Sequence, residues 1–252
     1  MSVATDTGVT ARVHPSPNHG ERARDAQIDM LILHYTGMQD ADRALRRLCD
    51  PRSEVSAHYF VYEDGNILQC VPEARRAWHA GKGNWQGQSD INSRSIGVEV
   101  VNPGHEWGYR DFPDVQIEAV ANLCVDICRR HDIEPRMVLA HSDVAPARKE
   151  DPGEKFPWAH LARRQVGHYV EPAPITSGLF MQLGENGQPV EAIQSMLALY
   201  GYDVAITGSF DEATQAAVTA FQRHFRPAKV DGVVDQSTVE TLHKLLSALP
   251  AL

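Results

Sequence analysis

The sequence predicts an α/β domain followed by a small all-α domain. Three observations carry that expectation. Short apolar runs at 30–33, 96–101 and 137–140 have the length and continuity of buried strands. Between the last two, Ile117, Val120, Ala121, Cys124, Val125 and Cys128 recur at helical spacing, which predicts a long helix over 113–131 with one apolar face. After a Pro-containing stretch at 171–180, the pattern changes to three helical segments with no strand between them. The expected organisation is an N-terminal arm at 1–27, a main domain at 28–170, a linker at 171–180 and a second domain at 181–252.

Residues 1–27 are polar and contain Pro15, Pro17 and Gly20, so they read as an extended arm with His14 and His19 in solvent. The run 30–33 ends on His34. Asp40 is a fair N-cap for a helix carrying Ala41, Ala44, Leu45 and Leu48, and Pro51 lies beyond its end. Strand-like 55–62 and 66–71 flank Asp64-Gly65, a hairpin signal. His58 lies in the first of these strands and reads as a packed, hydrogen-bonded histidine. The stretch 73–92 reads as a glycine-rich loop holding Trp78, His79 and Trp85. Such a loop suits a groove for an extended sugar or peptide, although two tryptophans could equally cap the core. A short helix is expected within 156–168.

In the second domain, Val190, Ile193, Met196, Leu197 and Leu199 read as one helix, 213–225 as another and 238–249 as a third. Thr207-Gly208 through Thr214 is echoed by Asp231-Gly232 through Thr238, which looks like a duplicated turn-helix unit.

Composition narrows the partners. The chain has 252 residues, 42% hydrophobic and 23% charged, with a net charge of −9 and no lysine-rich run. Nucleic acid and anionic membrane are therefore poor partners. No stretch reaches membrane-spanning length. The first residues carry no apolar signal segment, so a cytoplasmic protein is the expectation, with the periplasm as the alternative. Of the four cysteines, Cys124 and Cys128 share a helix face and read as small buried hydrophobes, with a structural zinc or a disulfide as alternatives.

The chemistry gathers at strand ends. His34 and His141 each close an apolar run, and Asp151 follows ten residues after His141. Two imidazoles and one carboxylate form a three-ligand set with a free fourth position, as in a catalytic zinc site. Asp143 is a rival carboxylate. Glu99 interrupts the run 96–101. A carboxylate there is costly unless paired or used, and burial would raise its pKa toward general acid/base work; a solvated sheet face is the alternative. Lys149 could stabilise an oxyanion. Together these residues make a metal-dependent amide hydrolase.

Residues 28–168 resemble the zinc-dependent N-acetylmuramoyl-L-alanine amidases of the type 2 amidase family, whose fold is shared with peptidoglycan recognition proteins. The likeness rests on LILHYTG at 31–37, SAHYFVYEDG at 56–65, AWHAG at 77–81, NSRSIGVEVVN at 92–102, LAHSDVAPARKEDPG at 139–153 and FPW at 156–158. Within the family it looks most like the AmpD/AmiD branch. The resemblance implies a mixed central sheet flanked by helices. It implies one zinc on His34, His141 and Asp151, deciding for Asp151 over Asp143. It also implies Glu99 as acid/base and Lys149 as stabiliser of the tetrahedral intermediate. His79, Trp85 and Arg94 would contact substrate. Residues 181–249 resemble a three-helix peptidoglycan-binding domain, on Gly184-Glu185-Asn186-Gly187, Leu199-Tyr200-Gly201-Tyr202, Ala220-Phe221-Gln222 and Val230-Asp231-Gly232 among others.

The implied activity is hydrolysis of the amide between N-acetylmuramoyl, or its 1,6-anhydro form, and L-alanine, in cell-wall turnover or recycling by a monomer. The alternative is a recognition protein that holds muropeptide without cutting it. A flexible linker predicts that deleting 175–252 preserves turnover of soluble muropeptides while weakening binding to the sacculus, the intact wall polymer.

Overall fold

A computed structural model of the chain describes residues 4–176, 178 and 180–249. Its strands are β1 (Arg12–Val13), β2 (His19–Gly20), β3 (Met30–Tyr35), β4 (Tyr59–Val61), β5 (Ile67–Gln69), β6 (Arg76–Ala77), β7 (Ser95–Val100) and β8 (Val138–Ala140). The helices are α1 (Ala41–Cys49), α2 (Ile91–Arg94), α3 (Asp114–His131), α4 (His141–Val144), α5 (Trp158–Arg163), α6 (Gln188–Tyr200), α7 (Glu212–Phe225) and α8 (Gln236–Ser247). Six strands form one mixed sheet in the order β1-β5-β4-β7-β3-β8, and β2 pairs with β6 in a separate ribbon.

The centre of the sheet is parallel: β3 lies between β7 and β8. The β4–β5 pair is the antiparallel hairpin predicted around Asp64-Gly65. Alternation along β7 separates two environments. Ile96, Val98 and Val100 join Val120, Leu123, Cys124 and Ile127 of α3 in the main core. On the other face, Val101 and Phe60 pack with Ala44, Leu45 and Leu48 of α1. The Asp40 carboxylate accepts from the Arg43 amide, so α1 starts where its cap predicts. Cys124 is buried, Cys128 is half-buried, and both are free thiols.

The extended arm is tied to the sheet. β1 adds in parallel to the edge of the sheet, and β2 pairs with β6. The Arg22 guanidinium donates to the carbonyls of Glu73, Asn92, Ser93 and Ser95, joining the arm to the strand that carries Glu99. His58 is wholly buried, and its Nδ1 accepts from the Gly97 amide at 2.9 Å.

The duplicated unit is real in three dimensions. Asp211 caps α7 and Asp235 caps α8, each accepting from the amide and hydroxyl of a threonine three residues on. In both copies a buried glutamine of the preceding helix closes the turn. Gln194 Oε1 accepts from the Thr207 and Gly208 amides, and Gln222 Oε1 from those of Asp231 and Gly232. Among the described residues, no helix is long and apolar enough to cross a membrane.

Candidate metal centre and catalytic cleft

The register of the sheet assembles the site. His34 in β3 is the cross-strand partner of Glu99 in β7. Leu33 is level with Ala140 in β8, so His141, the next residue, emerges beside His34 at the same rim. Parallel neighbours thus put three chemical groups at the carboxyl ends of adjacent strands, where open α/β sheets place their ligand sites. The loop after α4 returns Asp151 to the same point, and the Ser142 amide donates to the Asp151 carbonyl at 3.0 Å.

His34 Nδ1, His141 Nδ1 and Asp151 Oδ2 lie 2.9–3.0 Å from one another, and all three residues are buried. The surrounding hydrogen bonds assign the protons. His141 Nε2 faces the Ala80 carbonyl at 2.9 Å and must donate to it, which leaves Nδ1 as a bare lone pair. Ser95 Oγ donates to the Ile91 carbonyl and so accepts from His79 Nε2; His79 Nδ1 then accepts from His34 Nε2 at 3.0 Å. His34 Nδ1 is therefore bare as well. Burial and the neighbouring His141 push the His34 pKa down to about 4, so its ring is neutral at pH 7. Two imidazole lone pairs and one carboxylate oxygen converge with no proton assigned between them. That donor set fits a divalent cation of the zinc type.

Glu99 lies in the same cleft, and its Oε2 is buried without a hydrogen-bond partner among the described residues. Burial and the Asp151 carboxylate raise its pKa well above the ordinary value, against the opposing charge of Lys149. Lys149 is half-buried in the cleft wall. The cleft has a volume of about 370 Å³, and Trp78, Arg47, Arg148 and His105 also line it.

The structure thus brings His34, His141, Asp151, Glu99 and Lys149 together. It places two of the three expected substrate contacts, Trp85 and Arg94, outside the cleft. Trp85 is wholly buried against Tyr200 and Tyr202 of the second domain and does not reach the cleft. Arg94 is engaged by Asp29, at the start of β3, through two guanidinium nitrogens and both carboxylate oxygens, away from the cleft. His79 does border the cleft, but both its ring nitrogens are committed to His34 and Ser95. Asp143, the rival carboxylate, turns away from His34, His141 and Asp151 and binds Tyr202 and His224. Sequence reasoning missed the coupling of His79 to His34. The signal was a histidine between Trp78 and Ala80 in a loop already suspected of function.

Residues 24–154 match the N-acetylmuramoyl-L-alanine amidase family, and 186–242 match a family of peptidoglycan binding domains. The chain is 36% identical over 232 residues to the N-acetylmuramoyl-L-alanine amidase AmiD of Escherichia coli, covering 87% of this chain and 83% of that one. It is 34% identical over 170 residues to the E. coli 1,6-anhydro-N-acetylmuramyl-L-alanine amidase AmpD, covering 61% of this chain and 91% of AmpD. Among solved structures, AmiD in complex with anhydro-N-acetylmuramic acid-L-Ala-D-gamma-Glu-L-Lys superposes with a TM-score of 0.74, covering 90% of this chain and 92% of that one at 34% identity. AmpDh3 of Pseudomonas aeruginosa, in complex with anhydromuramic pentapeptide, superposes with a TM-score of 0.74 over the whole of both chains at 27% identity. The chain belongs to the N-acetylmuramoyl-L-alanine amidase family.

Proposed function

We propose that this amidase is zinc-dependent and hydrolyses the amide between the lactyl carbonyl of N-acetylmuramic acid, or of its 1,6-anhydro form, and L-alanine of the stem peptide. The observation that carries the reading is the convergence of three lone-pair donors beside a buried glutamate oxygen that has no partner among the described residues. His34, His141 and Asp151 would hold the metal. Zinc bound there would polarise the amide carbonyl and acidify a coordinated water.

The remaining steps belong to the chain. Glu99 accepts the proton of the attacking water as the carbon–oxygen bond forms. Its raised pKa lets it hold that proton near neutral pH and then deliver it to the departing nitrogen as the carbon–nitrogen bond breaks. The products are a muramoyl carboxylate and a peptide with a free amine. The Lys149 ammonium, on the same wall, offsets the negative charge that develops on the carbonyl oxygen. The muropeptides seen with AmiD and AmpDh3 support a muropeptide as the ligand of this cleft, and the second domain supports contact with the wall polymer.

A mass-spectrometric digest tests the proposal. Zinc-loaded protein should release free stem peptide from anhydro-muramyl-tripeptide, and chelated protein should not. Binding of the muropeptide without release of peptide would instead establish the recognition-protein alternative. Intact sacculi, assayed in parallel, would show whether the polymer is also cut.

A further inference from the structure

The linker at 171–180 suggests a second domain that only tethers the enzyme to its substrate. The contacts between the two domains do not look like a tether. Asp143, in α4 and two residues after His141, is completely buried. Its Oδ1 accepts from the Tyr202 hydroxyl at 2.6 Å, and its Oδ2 from His224 Nδ1 at 2.6 Å and from the Ala140 amide at 2.8 Å. Tyr202 and His224 belong to the second domain, and each is at most 3% exposed. One carboxylate therefore joins the peptide just before a metal ligand to two side chains of the other domain.

Two further contacts act on the same region. The His224 ring stacks on Trp158, with centroids 3.7 Å apart. Arg223, beside it, donates to Glu150 at 2.9 Å, next to the ligand Asp151. On the far side, the Gln86 amide donates to the Gly201 carbonyl at 2.9 Å. Trp85 presses on Gly201 so closely that a β-carbon there would lie 2.6 Å from the indole. The second domain thus grips both ends of the segment that supplies His141 and Asp151, and that segment is further closed by the Ser142–Asp151 backbone bond.

We propose that Asp143, Tyr202 and His224 are positioning residues of the metal centre, and that the docked second domain is a brace that holds His141 and Asp151 at coordinating distance. The inference rests on the zinc reading of the site. It follows from how metal sites work: ligands held by a fixed surrounding shell bind more tightly than ligands on a free segment, and partners beyond the ligands typically contribute about 10–100-fold in affinity or activity. α4 is a single turn following a strand of three residues, so it has little rigidity of its own.

The experiment uses the full chain. Zinc affinity is measured by chelator competition for wild type, for His224→Ala combined with Tyr202→Phe, for His224→Asn and for Gly201→Val, well below the melting temperature of each. The double variant should bind zinc about tenfold more weakly. On anhydro-muramyl-tripeptide its kcat should fall while KM stays within about twofold, because substrate contacts are untouched. His224→Asn, whose side-chain amide can replace the Nδ1 donor, should recover most of the affinity; a purely steric role would show no such rescue. Gly201→Val loosens the docking from the Trp85 side and leaves every partner of Asp143 in the chain, so it should also weaken zinc binding even where the double variant fails to fold. Wild-type zinc affinity in the folded variants overturns the brace while leaving the amidase reading intact. A wild-type chain that binds no zinc overturns the metal reading and the brace with it.

Discussion

Glu73 links the arm, the sheet and α3, and replacing it with glutamine gives a quantitative test of how the scaffold is held. Its side chain is almost wholly buried. Oε1 accepts from the Tyr59 hydroxyl at 2.6 Å and from Arg130 at 2.7 Å, while Oε2 accepts from His131 at 2.7 Å and from a second Arg130 nitrogen. Burial alone would raise the pKa, but the donors from Arg130, His131 and Tyr59 outweigh it and lower it to about 2 from an ordinary 4.5. At about 1.36 kcal/mol per pH unit, that difference corresponds to about 3 kcal/mol of stability. Because folding lowers the pKa, the unfolded chain binds more protons between about pH 2 and pH 4.5. The stabilisation is therefore complete above pH 4.5 and is lost as pH falls through 2. Glu73→Gln should cost about 3 kcal/mol at pH 7, or about 6–12 °C in Tm for a domain of this size. The gap to wild type should shrink to about 1 kcal/mol at pH 2.5. Thermal melts of both proteins across that range are the assay. A gap that does not change with pH would refute the ionic account, because a lost packing contact has no such dependence.

Other predictions concern the site. Glu99→Gln should retain zinc and lose about 10²–10⁴-fold in kcat; full turnover in that variant would sink its assignment as the proton carrier. Lys149→Ala should lose about 10²–10³-fold in kcat with KM little changed, and a loss confined to KM would point to ground-state binding instead. His79→Phe removes the acceptor that fixes the His34 tautomer and should weaken zinc binding about 10–100-fold by chelator competition. Gly97→Ala should reproduce that defect, since a β-carbon there would lie 2.4 Å from the His79 ring; if Gly97→Ala binds zinc normally, the ring is not held against β7 as described.

Much of the site was legible because its backbone is local. Apolar runs that end on His34 and His141 announce strand ends, and Glu99 stands out as the one charge in a buried run. What the runs do not encode is which strands are neighbours. The pairing of His34 with Glu99 follows from parallel register between segments 65 residues apart, and no local pattern records it. Trp85 illustrates a different limit. A glycine-rich loop with tryptophans reads the same whether a sugar or another domain covers it, and only the docked helices distinguish the two. The polar arm reads only as extended for a similar reason, and nothing local marks Arg22 within it. The partners of its guanidinium are mostly backbone carbonyls, which every residue carries, so they leave no trace in residue type.

The interface also changes what truncation would mean. A tethered module predicts that removing 175–252 leaves soluble-substrate turnover unchanged. In the folded chain, that cut would strip Asp143 of two of its three hydrogen-bond donors and uncover Trp85 and Trp158, which are at most 4% exposed. AmpD, which aligns with only 61% of this chain, shows that an amidase domain can be complete at that length. Completeness there does not transfer here, because Trp85 in this chain packs directly on helical-domain aromatics. A truncated protein that unfolds would report only the lost apolar cover. Docking variants of the full chain separate that loss from the loss of the metal ligands' support, since the apolar surface stays present while the grip on Asp143 is released. If the brace is real, weaker zinc binding should appear in those variants before the main domain begins to melt.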